Sequence, residues 1–445
     1  LSTMMYRVRT HESAFENISV MDFYDEKSIF VTGGTGYLGK ALIEKLIYSC
    51  RNIDKIYVLL RDKKKECACD RVKEIINSSA FDRIRKRDIK DLEKIIPMSG
   101  NIADENLGLS RENLNILKSN VSIYLFHLAA TVNFNEPLKD ALEINVNGTQ
   151  RVMKLCRQLN RLEAYIYVST AYSNADLRKV NEVVYPNPVS LNHVETVAEL
   201  FSDDAYVINK LLGNKPNTYT YTKALPEEVV LKERGDLPVA IIRPSIVISA
   251  LKEPSPGWVD NWHGATGLFV GMTTGAMKVT LGKGDNITDL VPLDVVINLM
   301  IVAGANCKRY LSTIEVYNSC TGKSNPITCN EAETIARKVT HKHSITMRLI
   351  LKENLKELFY HRQMKSQRII GKITDLMKFF LLNEWYFEDN NVRRLLSNTS
   401  KQDKEVFNFD VKSINWDKCL EEYILGAFEI LRNYCQYSII FLTHI

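Results

Sequence analysis

A tyrosine and a lysine four residues apart, Tyr219 and Lys223 in the run TYTYTKAL, are the strongest chemical signal in the sequence. Side chains at positions i and i+4 share one face of a helix, so we expect the ammonium to lie near the phenol. A free tyrosine has a pKa of about 10, and a nearby cation favours the phenolate. The pair therefore predicts acid–base chemistry, although this spacing also arises by chance on surface helices.

Two hydroxyl residues, Ser169 and Thr170, end the apolar run AYIYVST. This run is typical of a buried strand, and active sites of α/β proteins form at the carboxyl ends of strands. We therefore expect one of these hydroxyls to act together with Tyr219 and Lys223. A glycine-rich turn, this hydroxyl pair and the tyrosine–lysine pair follow one another along the chain in that order. Together they make it improbable that the tyrosine–lysine spacing arose by chance.

A glycine-rich turn lies between the strand-like run SIFVTG and the helical run KALIEKLIY. Gly33 permits a tight turn, Gly36 lets a pyrophosphate approach the backbone, and Gly39 allows the helix to pack closely on the strand. The start of the helix also offers free N–H groups to phosphates. The turn predicts a dinucleotide site formed by Gly33, Thr35, Gly36, Tyr37, Leu38 and Gly39.

The tip of the second predicted strand indicates which dinucleotide binds. A carboxylate at this position would hold the ribose 2′-hydroxyl of NAD, but the residue here is Arg61. The arginine fork suits a 2′-phosphate, and Asp62, one residue later, is expected to point elsewhere. The sequence therefore predicts NADPH as the cofactor.

The first 300 residues alternate short apolar runs with longer helical patterns. The runs, rich in Val, Ile, Leu and Tyr, predict strands at 28–33, 55–61, 94–101, 122–130, 164–170 and 238–245. Strands that alternate with helices predict an α/β fold with a doubly wound parallel sheet covered on both faces. From about residue 340 the alternation stops, so we place a domain boundary between 325 and 350.

Composition excludes several classes of protein. Lys and Arg number 58 against 53 Asp and Glu, a net charge of +5 that is too small to indicate a nucleic-acid binder. The nine cysteines lack paired CxxC spacing, which argues against a disulfide framework and a zinc site. No apolar run reaches the ~20 residues of a membrane span. We expect a soluble chain with reduced thiols, facing the cytosol, without a bound metal and without a nucleic-acid partner.

Several motifs in order resemble one known superfamily, the short-chain dehydrogenases/reductases of the extended type. More closely, the sequence is similar to the alcohol-forming fatty acyl-CoA reductases. The motifs are VTGGTGYLGKALIEKL, HLAATVNFNEPLKDALEINVNGT, YVSTAYSN, PNTYTYTKAL, AIIRPSIV and EPSPGWVDN. The later runs NEWYFEDNNVRRL and FNFDVKSINWDKCLEEYI resemble the helical C-terminal domain of that family.

The resemblance implies a Rossmann-like sheet followed by a helical C-terminal domain. It divides the chain into an N-terminal tail (1–24), an NADPH-binding reductase domain with substrate-binding insertions (25–335) and the C-terminal domain (340–445). It implies that Thr170, rather than Ser169, is the catalytic hydroxyl beside Tyr219 and Lys223. It also implies further cofactor contacts at Asn101, Ile102, Ala129, Ala130, Asn145, Pro244, Ser245 and Val247, with Tyr219 and Lys223 binding the cofactor as well.

The implied activity is NADPH-dependent reduction of a long-chain fatty acyl-CoA to a primary alcohol, through an aldehyde and with release of CoA. The resemblance also implies association with the endoplasmic reticulum or peroxisome membrane from the cytosolic side. Alternatives are an aldehyde-releasing thioester reductase, a sugar or sterol dehydrogenase of the same superfamily, and a nucleotide-binding scaffold without turnover.

The chain departs from the family pattern at three places. The usual Gly-Asp after the third strand is Gly100-Asn101, which removes a carboxylate from the adenine side. Pro226 replaces a commoner alanine three residues after Lys223 and is expected to disturb the helix there. The segment 341–375 is short and charged where the family carries a long apolar stretch, which weakens the expectation of membrane attachment.

Overall fold

Seven parallel strands form the central sheet of the protein in a computed structural model. The structure describes residues 19–63, 66–119, 122–202, 204–262, 264–273, 277, 282–310, 313–343, 371, 374 and 377–437. The strands are β1 Ser28–Thr32, β2 Ile56–Leu60, β3 Ile95–Ser99, β4 Ile123–His127, β5 Leu162–Val168, β6 Lys179–Val180, β7 Val239–Pro244, β8 Ile246–Ile248, β9 Leu290–Pro292, β10 Glu315–Ser319 and β11 Tyr386–Phe387.

The helices connect these strands and cover the sheet on both faces. They are α1 Val20–Phe23, α2 Tyr37–Ser49, α3 Ala68–Asn77, α4 Asp82–Arg87, α5 Arg111–Ser119, α6 Leu138–Leu142, α7 Gly148–Cys156, α8 Leu191–Leu200, α9 Ala205–Leu212, α10 Thr218–Glu233, α11 Ala265–Thr273, α12 Leu293–Asn306, α13 Cys329–Lys342, α14 Asn390–Asn398, α15 Lys401–Val406 and α16 Trp416–Tyr437, with a further helical stretch at 377–382. A π-helical turn, Glu143–Asn147, joins α6 to α7. Helix α10 continues through Pro226, so the proline does not end it.

The strand order in the sheet is β10-β7-β5-β4-β1-β2-β3. The order reverses beside β1, because the chain moves from β1 to β2 and β3 on one side and to β4, β5, β7 and β10 on the other. In register, Thr32 at the end of β1 pairs with Leu59 and with His127. The carboxyl ends of the strands therefore meet along one edge, and the reversal leaves a crevice there in which α/β proteins bind ligands.

The six strands predicted from apolar runs are confirmed, and the doubly wound parallel sheet is confirmed with them. The seventh strand, β10, was not predicted, because EVYNS is short and follows a long helical region. It pairs with β7 at the edge of the sheet. Hydrophobic cores lie on both faces, one built with α2, α12 and α13 and the other with α5 and α7.

The described parts at both ends of the chain pack against this domain. Residues 19–24, which the sequence assigned to a tail, include helix α1, and the hydroxyl of the fully buried Tyr24 donates to the Ile301 carbonyl at 2.7 Å. The backbone N–H of Val20 donates to Asp403 at 2.9 Å, so the helix meets the C-terminal region. Strand β11 pairs in parallel with β6, which adds a short strand to a mainly helical region.

The predicted domain limits 25–335 and 340–445 stay a prediction. Residues 1–18 of the expected tail and 344–370 of the charged connecting segment lie outside the described residues. Within the described ranges, no helix combines the length and the apolar character that crossing a bilayer requires.

Candidate active site

The glycine turn after β1 lies at the centre of the crevice. Gly33 has φ +78°, and a Cβ there would lie 2.7 Å from the backbone nitrogen of Ala129. A Cβ on Gly39 would lie 2.2 Å from the Gly33 carbonyl oxygen, so neither position accepts a side chain. Gly36 precedes α2 without a side-chain cap, which leaves the first-turn N–H groups of Tyr37, Leu38 and Gly39 without intrahelical partners. The loop can therefore bind phosphates through backbone N–H groups at the N-terminus of α2, with no side chain in the way.

Tyr37 itself turns into the protein. Its hydroxyl donates to the carbonyls of Ile248 at 3.0 Å and Trp258 at 3.2 Å, and its ring stacks on Trp258 at 5.2 Å. Burial raises the pKa of this phenol well above its usual value. A contact between Tyr37 and a dinucleotide is therefore expected from its backbone rather than from its hydroxyl.

A buried histidine supports the turn from below. His127 ends β4, and its ring nitrogens bond to the hydroxyls of Thr32 at 2.7 Å and Thr149 at 3.0 Å. Burial, followed by the charge of Lys223, lowers the pKa of His127 to about 3, so the ring is neutral at physiological pH. The Thr32 hydroxyl also accepts from the Ala129 N–H at 3.3 Å. His127 thus helps to fix Thr32 and Ala129, against which the glycine turn packs.

Two arginines lie at the far end of the glycine turn. Arg61 is exposed at the tip of β2, as predicted, and its carbonyl accepts from Arg71 at 2.6 Å. The other arm of the Arg71 guanidinium reaches the hydroxyl of Thr35 in the turn at 3.5 Å. Arg71 was not predicted from the sequence, because it lies ten residues after Arg61 on α3 and matches no local motif.

Asp62 points away from this site, as expected. One carboxylate oxygen accepts from the backbone N–H of Ala68 at 2.8 Å, and the other is hydrogen-bonded to the hydroxyl of Ser99. The carboxylate that could have favoured a free ribose hydroxyl is therefore engaged at the start of α3 and the end of β3. The local charge offered to a ligand beside Thr35 is positive.

The remaining predicted cofactor residues line the same edge. Asn101 and Ile102 follow β3, and the Asn101 side chain accepts from the Ala103 N–H at 3.3 Å. Ile102 is buried against Gly148 of α7, where a Cβ would lie 3.1 Å from its side chain. The half-buried Ala129 and Ala130 follow β4 directly.

The loop after β7 borders the crevice on the other side. Pro244 ends β7 and Ser245 follows it, its N–H donating to the Ser319 carbonyl at 3.1 Å. Val247 lies half-buried in β8 and pairs with Val291. This loop therefore connects the edge of the main sheet to the small β8–β9 sheet.

The predicted catalytic hydroxyls come together. The Thr170 side chain lies close enough to Tyr219 to affect its ionisation, although the residues are 49 positions apart. Burial raises the pKa of Tyr219 to about 12, and the interaction with Thr170 opposes part of this rise. Thr170 also lies 3.4 Å from the Pro244 carbonyl and accepts from the Tyr172 N–H. A phenol with this pKa keeps its proton at neutral pH and can donate it.

Lys223 lies one helical turn after Tyr219 but binds a different group. Its ammonium donates to the Val168 carbonyl at 2.7 Å and lies 4.6 Å from the centre of the Tyr167 ring. Burial lowers the pKa of Lys223 to about 7, while the charge of Glu227 opposes the change. The expectation that Lys223 brings the pKa of Tyr219 toward neutrality is therefore not met in this structure.

A buried ion pair lies behind these residues. Glu227 follows Lys223 by four residues, and its carboxylate accepts from the guanidinium of Arg243 on β7 at 2.9 and 2.5 Å. It also accepts from the hydroxyls of Ser169 at 2.5 Å and Ser173 at 3.1 Å. Ser169 thus faces the core while its neighbour Thr170 faces Tyr219. That difference supports Thr170 as the catalytic hydroxyl, an assignment that stays a prediction.

Asn145 ties the loop after β4 to the helix that carries Tyr219. It lies in the π-helical turn, where its side-chain oxygen accepts from the Thr131 N–H at 2.9 Å. Its side-chain nitrogen donates to the Thr222 hydroxyl on α10 at 3.0 Å. Asn145 is buried, so in this structure it positions elements of the site, and its own contact with a cofactor stays a prediction.

Comparison with known proteins identifies the relatives of the chain. Family models described as "Male sterility protein" match residues 31–300 and 343–434. Fatty acyl-CoA reductase 1 of Mus musculus is 36% identical over 94% of this chain and 87% of its own length. Fatty acyl-CoA reductase 2 of Mus musculus is 35% identical over 91% of this chain and 84% of its own length.

Solved structures show the same fold at lower sequence identity. The terminal R domain from the myxalamid PKS-NRPS biosynthetic pathway has a TM-score of 0.64 at 19% identity, with 92% of each chain covered. The Bordetella bronchiseptica enzyme WbmF in complex with NAD+ has a TM-score of 0.54 at 15% identity, covering 93% of this chain and 96% of its own. These likenesses establish that the chain has the same Rossmann-like fold.

Proposed function

The chain belongs to the fatty acyl-CoA reductase family, and from this membership we propose that it reduces fatty acyl-CoA to the primary fatty alcohol. The substrate is a long-chain acyl thioester, the intermediate is an aldehyde, and CoA is released. The observation that carries the proposal is that the hydroxyls of Thr170, after β5, and Tyr219, on α10, come together at the edge of the sheet. Such a pair suits a carbonyl oxygen that gains negative charge and then a proton.

The cofactor is a nicotinamide dinucleotide, and we propose NADPH. The open glycine turn and the uncapped start of α2 fit the pyrophosphate. The Arg71 guanidinium, which reaches Thr35, and the exposed Arg61 at the tip of β2 support a 2′-phosphate, because an arginine fork matches phosphate geometry. The Asp62 carboxylate is already bonded to the Ala68 N–H and the Ser99 hydroxyl, which makes it less available to a free ribose hydroxyl. When bound, NADPH supplies the hydride for each reduction.

The proposed roles of the side chains follow from their protonation. Thr170 and Tyr219 donate hydrogen bonds to the substrate oxygen and stabilise the charge that develops there. Tyr219 holds its proton at neutral pH, since its pKa is raised to about 12, and it gives that proton to the oxygen when the aldehyde becomes the alcohol. Lys223, with a pKa near 7, can return a proton to Tyr219 once both residues contact the ligand.

The ratio of NADPH consumed to CoA released tests this proposal. Purified protein turning over a saturated long-chain acyl-CoA should consume two NADPH for each CoA, with fatty alcohol as the extracted product. A ratio near one with free aldehyde accumulating would replace the proposal with the aldehyde-releasing alternative. A chain that consumes NADPH with sugars or sterols, and not with acyl-CoA, would contradict both.

We also propose that the protein acts at the cytosolic face of the endoplasmic reticulum or peroxisome membrane, as the family resemblance implies. The acyl chain of the substrate and the fatty alcohol product are apolar and partition into lipid, which supports this location. Flotation of the purified full chain with phosphatidylcholine vesicles tests it. Protein that stays at the bottom of the gradient in the presence of acyl-CoA would contradict it.

A further inference from the structure

An aromatic cluster from distant parts of the chain lies directly beside the catalytic hydroxyls. The ring of Phe134, in the loop after β4, stacks on Tyr219 with centroids 5.6 Å apart and planes inclined by 20°. Phe380, from the helical stretch 377–382, lies 5.7 Å from Phe134. It also meets Tyr172 edge-on at 5.1 Å, two residues after Thr170. The C-terminal region therefore contacts the segment that follows Thr170 directly, and it reaches Tyr219 through the ring of Phe134.

The position of Phe380 is held by neighbouring contacts. The indole N–H of Trp385 donates to the Ala175 carbonyl at 3.0 Å, and its ring meets Tyr172 edge-on at 5.2 Å. Strand β11 then pairs with β6 immediately after Trp385. Because these contacts connect the segment to the loop that follows Thr170, Phe380 stays close to the site.

The exposure of the rings suggests a use beyond packing. Tyr172 is buried, as expected of a core residue, but Phe134, Tyr219 and Phe380 are each only half-buried. An apolar surface that is open beside polar reactive groups is what a ligand with an apolar body and a polar reacting end requires. The acyl chain and thioester of the proposed substrate have this character.

We infer that Phe134 and Phe380 form an apolar wall that binds the acyl chain of the substrate, so that the C-terminal region determines chain-length preference. This inference rests on the proposed function for the identity of the ligand. The two ring spacings place Phe380 at most about 11 Å from the Tyr219 ring. An extended acyl chain advances about 1.3 Å per bond and covers that distance in about nine bonds. A dodecanoyl chain is therefore long enough to reach Phe380, whereas a butanoyl chain extends only about 4 Å.

Equilibrium binding separates this inference from the catalytic proposal. Titration calorimetry with dodecanoyl-CoA and with butanoyl-CoA is carried out on the full chain in the presence of NADP+, so that no reduction takes place. Phe380→Ala should raise the Kd for dodecanoyl-CoA about tenfold, since the loss corresponds to about two methylene contacts. The Kd values for butanoyl-CoA and NADP+ should change less than about twofold, because neither ligand has a long acyl chain to lay on the ring.

Phe379 provides the matched control. It is the adjacent residue of the same type, and its ring lies 5.5 Å from Phe380 and 5.6 Å from Trp385. Phe379→Ala should leave the Kd for dodecanoyl-CoA within about twofold of the unmodified protein. Should Phe380→Ala fail to fold, Phe380→Leu retains an apolar side chain and is expected to show a smaller but still chain-selective loss.

Three results would overturn the inference: equal losses for both acyl-CoAs in the Phe380 variants, equal losses in the Phe379 and Phe380 variants, or unmodified protein that binds dodecanoyl-CoA no tighter than butanoyl-CoA. Selective loss of dodecanoyl-CoA binding in a protein that does not reduce it would support the inference and contradict the proposed catalytic function. The two proposals can therefore fail separately.

Discussion

Glu227→Gln is the substitution whose effect follows most directly from the structure. The Glu227 carboxylate is buried and is the counter-ion of Arg243, whose guanidinium is fully buried with an exposed fraction of 0%. Glutamine keeps the shape of the side chain but removes the charge. It therefore leaves the Arg243 cation between the two carbonyl acceptors it already uses, those of Asn181 at 3.1 Å and Val183 at 2.7 Å.

Removing one partner of a buried ion pair costs roughly 3–5 kcal/mol, because the remaining charge stays desolvated. Glutamine retains one oxygen as an acceptor for Ser169 or Arg243, which places the expected loss near about 3 kcal/mol in the free energy of unfolding. Urea denaturation followed by tryptophan fluorescence measures it, provided that the slope with denaturant is unchanged. Glu228→Gln is the control, since Glu228 pairs with the exposed Lys232 and should lose less than about 1 kcal/mol.

A double-mutant cycle completes the test. Arg243→Met together with Glu227→Gln removes both charges, so the double variant should be more stable than the two single losses predict when added. Equal unfolding free energies for the Glu227→Gln and Glu228→Gln variants would refute the reasoning. Strict additivity in the cycle would show that the two side chains do not act as a pair.

Three further predictions concern the active site. Tyr219→Phe should lower turnover at least about a hundredfold, because it removes the proton donor. It should leave the Kd for the cofactor within about twofold, since the ring that stacks on Phe134 is kept. Near-native turnover of the folded variant would disprove the assignment. Arg61→Ala and Arg71→Met should each raise the KM for NADPH about tenfold and leave the KM for NADH almost unchanged. Each variant removes only a guanidinium group proposed to bind the 2′-phosphate, which NADH lacks. An equal effect on the KM values of both cofactors would contradict this. Lys223→Met should stabilise the cofactor-free protein by about 3 kcal/mol more at pH 6 than at pH 9, because burial lowers the pKa of the amine from 10.5 to about 7. The destabilisation caused by the buried amine is therefore complete below pH 7 and declines as the pH rises toward 10.5. A pH-independent difference in unfolding free energy between the variant and the unmodified protein would refute this prediction.

Local patterns were sufficient to predict the sheet and the order of the site residues. Six apolar runs became strands because burial on both faces selects continuous Val, Ile and Leu, which is a property of each run alone. The glycine turn was predictable for a similar reason. Gly39 is required by its contact with the Gly33 carbonyl inside the same strand–turn–helix unit, and Gly33 has the positive φ of a tight turn, +78°. The i, i+4 spacing likewise placed Tyr219 and Lys223 on one helix.

The direction of individual side chains was less predictable. Tyr37 was expected to face a cofactor, yet its hydroxyl bonds to the carbonyls of Ile248 and Trp258, more than 200 residues later. Lys223 was expected to lower the pKa of Tyr219, but the Val168 carbonyl competes for its ammonium. In both cases the competing acceptor lies on another strand or loop, and no pattern near the residue in sequence specifies it.

What the sequence by itself determined is therefore the set of elements, their order and the residue types that each carries to the edge of the sheet. The tertiary structure alone decided which side chains meet there. Arg71 reaches Thr35 across 36 positions, and Phe380 meets Phe134 across 246. Periodicity and propensity act over a few residues, whereas these contacts depend on how separate elements pack against one another, and that packing is fixed by the shape of the whole core.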